Sequence, residues 1–144
     1  MAADEAAANA FVELVEGLDR LAVDQHVLVS DIAIARRLDS RPYVTVGPIV
    51  RSPVMAYCLM PPVDLVHAHD EKAGQTGLLL TLTRSIPFVL SSSAGRGSHP
   101  LQRSVASRAQ GLIRVDGVGA DRLVEQYRET IDAWSELPQD ANCG

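Results

Sequence analysis

Aromatic side chains are scarce in this chain: its 144 residues include two Phe, one Trp and three Tyr. The core must therefore be aliphatic, and a flavin would find few rings to stack on. Cysteine is nearly absent, with Cys58 and Cys143 far apart in sequence. That excludes a disulfide framework and a CxxC metal site, and suits a reduced, cytoplasmic protein. No apolar run is long enough to span a bilayer, because prolines interrupt the longest, "SPVMAYCLMPPVDLV". The opening "MAADEAAANA" is acidic where a secretory signal would be basic. A Walker loop, a GxSxG elbow and a complete dinucleotide-binding fingerprint are all missing. A net charge of −5 removes any bulk attraction to nucleic acid.

What is present suffices for one domain with its own core, read over residues 1–137, with a flexible tail over 138–144. Phe11, Leu14, Val15, Leu18 and Leu21 recur at helical spacing and predict a helix over 4–22. Short apolar, β-branched runs predict strands at 25–30, 42–47, 63–68, 86–91 and 111–116. Helices are expected between them, over 31–40, from Pro53 to 60, and over 71–85, 100–110 and 119–137. Pro53 and Pro100 suit first-turn positions. Gly74 and Gly77 weaken the helix that holds them but permit close approach to a sheet. Strands alternating with helices imply βαβ units. The expected fold is therefore α/β, three layers deep, a mainly parallel five-stranded sheet with helices on both faces.

Charge is uneven along the chain. Residues 84–114 hold Arg84, Arg96, Arg103, Arg108 and Arg114 and no acid, whereas residues 1–25 and 115–144 are acidic. Such a run is either a solvated face or a cradle for an anionic ligand or a membrane surface, so peripheral membrane contact stays open.

Ligands of parallel sheets sit beyond the carboxyl ends of the strands. There "VDLVHAHDEKAG" (63–74) ends a strand in His67-Ala68-His69-Asp70. Two residues apart, His67 and His69 share one face of an extended strand. A His-x-His pair can hold a metal, but His26 and His99 are the only other histidines, and His26 falls at the wrong end of its strand. No metal is assigned on that ligand count. Asp70 suits a helix cap. The histidines either bond a neighbouring loop or meet a ligand. "AGRGSHP" (94–100) offers backbone N–H groups and Arg96 to an anion, or serves as a plain connection. Ser91-Ser92-Ser93 has no His–Asp partnering visible in sequence, and no catalytic residue is assigned. Asp116-Gly117-Val118-Gly119 reads as a strand-to-helix turn.

From Asp64-Leu65-Val66-His67-Ala68-His69 onward the sequence resembles the N-terminal domain of family 4 glycosyltransferases, retaining enzymes of two facing Rossmann-like domains. Ile86-Pro87-Phe88-Val89, Arg108-Ala109 and Gly111-Leu112-Ile113 through Leu123 continue the pattern, and "DQHVLVS" is similar to an upstream strand with Gln25 in place of Gly. The resemblance covers about residues 8 to 128. Three departures accompany it: no strand and glycine-rich loop precede the first helix, Ser91-Ser92-Ser93 replaces a Thr-x-His element, and the nucleotide-sugar-binding second domain is not in this sequence.

The resemblance implies a truncated, acceptor-side glycosyltransferase-like domain that needs a partner for sugar transfer. Without the family's central first strand, the expected order is (42–47), (26–30), (63–67), (86–90), (111–115), which is flavodoxin-like. The residues placed at its carboxyl edge are Ser30, Asp31, His67, His69, Asp70, Ser93 and Arg96. No cofactor is implied; a nucleotide sugar would be a substrate bound mainly by the partner. The partner is a second glycosyltransferase half or a second copy of the chain. The alternative is a non-enzymatic binding or interaction module that keeps the fold without catalysis.

Overall fold

A computed structural model describes residues 2–91, 108–113 and 119–136. The order of elements is α1 (Ala2–Arg20), β1 (Gln25–Val27), α2 (Ile32–Leu38), β2 (Val44–Val46), α3 (Pro53–Leu59), β3 (Val66–Ala68), α4 (Glu71–Arg84), β4 (Phe88–Ser91), β5 (Gly111–Ile113) and α5 (Ala120–Ser135). The helix expected over 100–110 and the tail over 138–144 fall almost wholly outside the described residues. The α/β class and the alternation of elements are those expected from sequence. Among the described residues no helix is long and apolar enough to cross a membrane.

Helix starts follow local chemistry. Asp31 accepts from Ala33 N–H at 2.8 Å, Ser52 from Met55 N–H at 3.1 Å, and Asp70 from Ala73 N–H at 2.8 Å. Each cap satisfies a donor that the first turn leaves open, worth about 1 kcal/mol. Pro53 begins α3, where its missing N–H costs nothing.

Contacts gather in two compact units, Met1–Pro61 with Val115–Val124, and Pro62–Arg114 with Glu125–Gly144. In the first, β1 and β2 form a parallel pair, Gln25 beside Val44 and Val27 beside Val46. Val12 and Val15 of α1 pack with Val27, Leu38 and Val44, and Phe11 and Ile34 flank them. Leu21, expected on the apolar stripe, is exposed. The helix has ended by then, and Ala22 turns the chain with a positive φ of 59°. Polar ties fix α1 on the pair: Gln25 Nε2 donates to Val15 O at 3.0 Å, and Tyr43 N–H donates to Asp19 Oδ1 at 2.8 Å. The Arg41–Glu16 ion pair at 2.6 Å is partly exposed, so it adds about 1 kcal/mol at most.

The second unit holds the parallel sheet β3–β4–β5, with β4 in the middle. Val66 lies beside Phe88 and Ala68 beside Leu90; Val89 lies beside Gly111 and Ser91 beside Ile113. All four residues of β4 are buried. Alternation sends Val66, Ala68, Phe88 and Leu90 to one face, and His67, Val89, Ser91 and Ile113 to the other. α4 covers the first face, with Gly77 against the Phe88 ring. Tyr127 of α5 meets His67 on the second face. α4 ends at Ser85, which takes a left-handed φ of 55° and caps Leu80 O and Thr81 O with its own N–H. The Ser85 carbonyl in turn accepts from Trp134 Nε1 at 3.1 Å.

The single five-stranded sheet expected from sequence is not formed. The strands make one two-stranded and one three-stranded sheet, and β1 does not pair with β3. Every pair that does form joins strands consecutive in the chain. The β1–β3 pair would have to form across two crossovers, and strands of three residues supply few ladder bonds to hold it. With that pair missing, the flavodoxin-like order is also missing.

Gly77 is the closest helix–sheet approach in this unit. A Cβ placed there would sit 2.6 Å from Phe88 Cδ2 and 2.8 Å from its Cγ. Phe88 is fully buried and cannot swing aside. Gly77→Ala therefore gains about 1 kcal/mol of helix propensity but costs about 1–3 kcal/mol in overpacking. The expected result is a net loss of stability in urea unfolding; a more stable variant would show that α4 is free to move outward.

Candidate functional site

β3 and β4 are parallel and adjacent, so their carboxyl ends rise side by side. One row beyond Ala68 and Leu90, His69 comes level with Ser91. His67 is two residues earlier on the same face. Its imidazole stacks on that of His69, with ring centroids 3.9 Å apart and planes inclined by 24°. The shared face expected from sequence is thus present, and the two rings are in direct contact.

The hydroxyl of Ser91 joins the two rings. Its Oγ lies 3.1 Å from His67 Nε2 and 3.1 Å from His69 Nδ1. A serine hydroxyl has one proton to give and two lone pairs to accept with, so it can serve both rings at once. Ser91 is buried, with 2% of its surface exposed, while both histidines are partly buried. On the far side of His67, Nδ1 meets the hydroxyl of Tyr127 at 2.5 Å, and the two rings pack edge to face. The result is a chain of four groups, Tyr127–His67–Ser91–His69, drawn from α5, β3, β4 and the residue after β3.

Burial controls their charge. His67 is pushed down to about 2, chiefly by loss of solvent and secondly by the neighbouring His69. His69 is lowered to about 4, again chiefly by burial, with the Asp70 carboxylate pulling the other way. Burial also pushes the Tyr127 phenol above its usual range. At neutral pH all four groups are uncharged. A general base works best with a pKa near the working pH, and neither histidine meets that condition. The arrangement suits holding and orienting through hydrogen bonds better than removing protons.

The residues proposed from sequence divide clearly. His67 and His69 converge. Asp70 lies next to them and is occupied as the N-cap of α4. Ser30 and Asp31 belong to the first unit, where both are exposed and Asp31 caps α2. Ser93 and Arg96, with the rest of the glycine-rich loop, lie outside the described residues. Sequence reasoning misses Ser91 and Tyr127. Ser91 shows no histidine partner in the linear order, and in the fold it has two. A signal for it exists: in parallel neighbouring strands, the last residue of one run falls level with the end of the other. Tyr127 carries a weaker signal, one helical turn beyond the buried Leu123.

Two histidines held neutral make stability depend on pH. In the unfolded chain each titrates near 6.5; in the folded chain each binds its proton only well below that. Between those values the unfolded state holds more protons, so stability is full above about pH 6.5 and falls as pH drops. Each histidine adds a slope of up to about 1.4 kcal/mol per pH unit. Urea unfolding at about pH 7.5, 6.5, 5.5 and 5.0 is expected to show the midpoint descending through the last two steps. A flat profile would mean the rings are charged or solvated in the folded protein.

Comparison with known protein families, with curated proteins and with solved structures finds no match to this chain.

Proposed function

We propose that this chain is a binding module built on a glycosyltransferase-like acceptor-side domain, and that it takes part in sugar transfer only with residues from a second polypeptide. The order of motifs from Asp64 to Leu123 supports the resemblance. The parallel β3–β4–β5 sheet with a polar cluster at its carboxyl edge suits it. One observation carries the non-catalytic part of the reading: His67, Ser91 and His69 are bonded to one another and held neutral. A base for an acceptor hydroxyl would need a pKa near neutrality. Both rings are pushed far below that range. In this reading the nucleotide-sugar contacts come from a partner, either a separate half-enzyme or a second copy. The same closed bonding favours a second reading, in which the module binds a partner and no sugar transfer follows.

Titration calorimetry with UDP-, GDP- and ADP-sugars on the isolated chain tests the proposal. No heat of binding is expected. Binding that is lost in His69→Ala would overturn it, because the donor site would then be complete in one chain. Co-purification separates the two readings: sugar transfer by the chain together with a captured polypeptide supports the first, and capture with no transfer supports the second.

A further inference from the structure

The four-membered chain has a direction, and α5 sets it. A neutral imidazole carries one N–H and one lone pair, so a bond made at one ring nitrogen dictates the role of the other. The phenol of Tyr127 has a single proton. Among the described residues its hydrogen-bond partner is His67 Nδ1, at 2.5 Å. A phenol is a better donor than acceptor, and a neutral imidazole offers one lone-pair nitrogen to receive its proton. Nδ1 of His67 therefore accepts. Its proton must sit on Nε2, which donates to Ser91 Oγ at 3.1 Å. Ser91 is buried and still has its own proton to place. The remaining partner is His69 Nδ1, also at 3.1 Å, so that nitrogen accepts too. The opposite polarity would leave the Tyr127 proton without an acceptor among the described residues, at the cost of an unsatisfied donor in a partly buried site.

We infer that Tyr127 is a positioning residue that fixes the polarity of the whole Tyr127–His67–Ser91–His69 chain, so that both histidines carry their proton on Nε2. The tautomer of His69 is thus decided three hydrogen bonds away, by a side chain on another element. At the carboxyl end of β3 the His69 ring has a donor at Nε2, and its Nδ1 lone pair is taken up by Ser91. The inference does not depend on whether the chain binds sugar nucleotides.

Nitrogen-15 NMR of the full chain with labelled histidine, at about pH 7.5 where both rings are neutral, tests it directly. In the wild type both rings are expected to show a pyrrole-like Nε2 and a pyridine-like Nδ1. A protonated Nδ1 on either ring would overturn the inference without any variant. In Tyr127→Phe the anchor is gone, and the nitrogens of both His67 and His69 are expected to move toward values averaged over two tautomers. A change confined to His67, in a variant whose amide spectrum shows it folded, would equally overturn it. Ser91→Ala supplies the control that separates transmission from loosening. With the hydroxyl removed, adding Tyr127→Phe should still alter His67 and should leave His69 where Ser91→Ala alone puts it; a further shift of His69 would show that the influence does not pass through Ser91.

Discussion

Val66 lies beside Phe88, and Ala68 beside Leu90, because the parallel register of β3 on β4 brings the apolar residues of both strands to the face that α4 covers. This register governs most of the packing in the second unit. It puts Phe88 under Gly77, and it sends His67, His69 and Ser91 together to the opposite face. A slip of one residue would turn every side chain over. If β3 slipped, the histidines would enter the α4 interface, away from Ser91; if β4 slipped instead, Phe88 would leave α4. The burial of all four residues of β4 shows how little freedom such a slip would have.

Given that register, the polar cluster solves a problem that the fold itself creates. Two imidazoles stacked at 3.9 Å could not both be charged without strong repulsion, and a buried polar group left without a partner costs about 1–3 kcal/mol. Ser91 meets both constraints with one hydroxyl, and Tyr127 completes the set from α5. Each bond contributes only about 1 kcal/mol net. The arrangement matters more through what it excludes, since charge on either ring breaks the set. The cluster therefore ties the carboxyl ends of β3 and β4 to α5 and holds both histidines neutral.

Much of the architecture is legible in local pattern. Apolar spacing in α1, the short β-branched runs, and the caps Asp31, Ser52 and Asp70 all act within a few residues, and such signals survive in sequence. The strands are shorter than their apolar runs. Ladder pairing ends at Val27 and Val46, although the chain stays alongside, with Gly47 N–H on Val27 O and Val50 N–H on Val29 O, both at 3.0 Å. The expectation of a single five-stranded sheet fails for a related reason. An alternating βαβ order identifies which strands a crossover connects, but not whether two such groups share one ladder.

By itself the sequence determined the α/β class, the order of the elements, the Asp70 cap, and the fact that His67 and His69 share a face. Spacings of two, three and four residues along a chain of known local geometry decide all of these. Only the tertiary structure decided that Ser91 bridges the two rings across 22 and 24 positions and that Tyr127 reaches His67 across 60. Such contacts depend on strand register and on where α5 packs, and no local periodicity encodes them. The neutral state of the histidines belongs to the same class of facts, because the burial that removes their charge exists only once the sheet and α5 have closed around them.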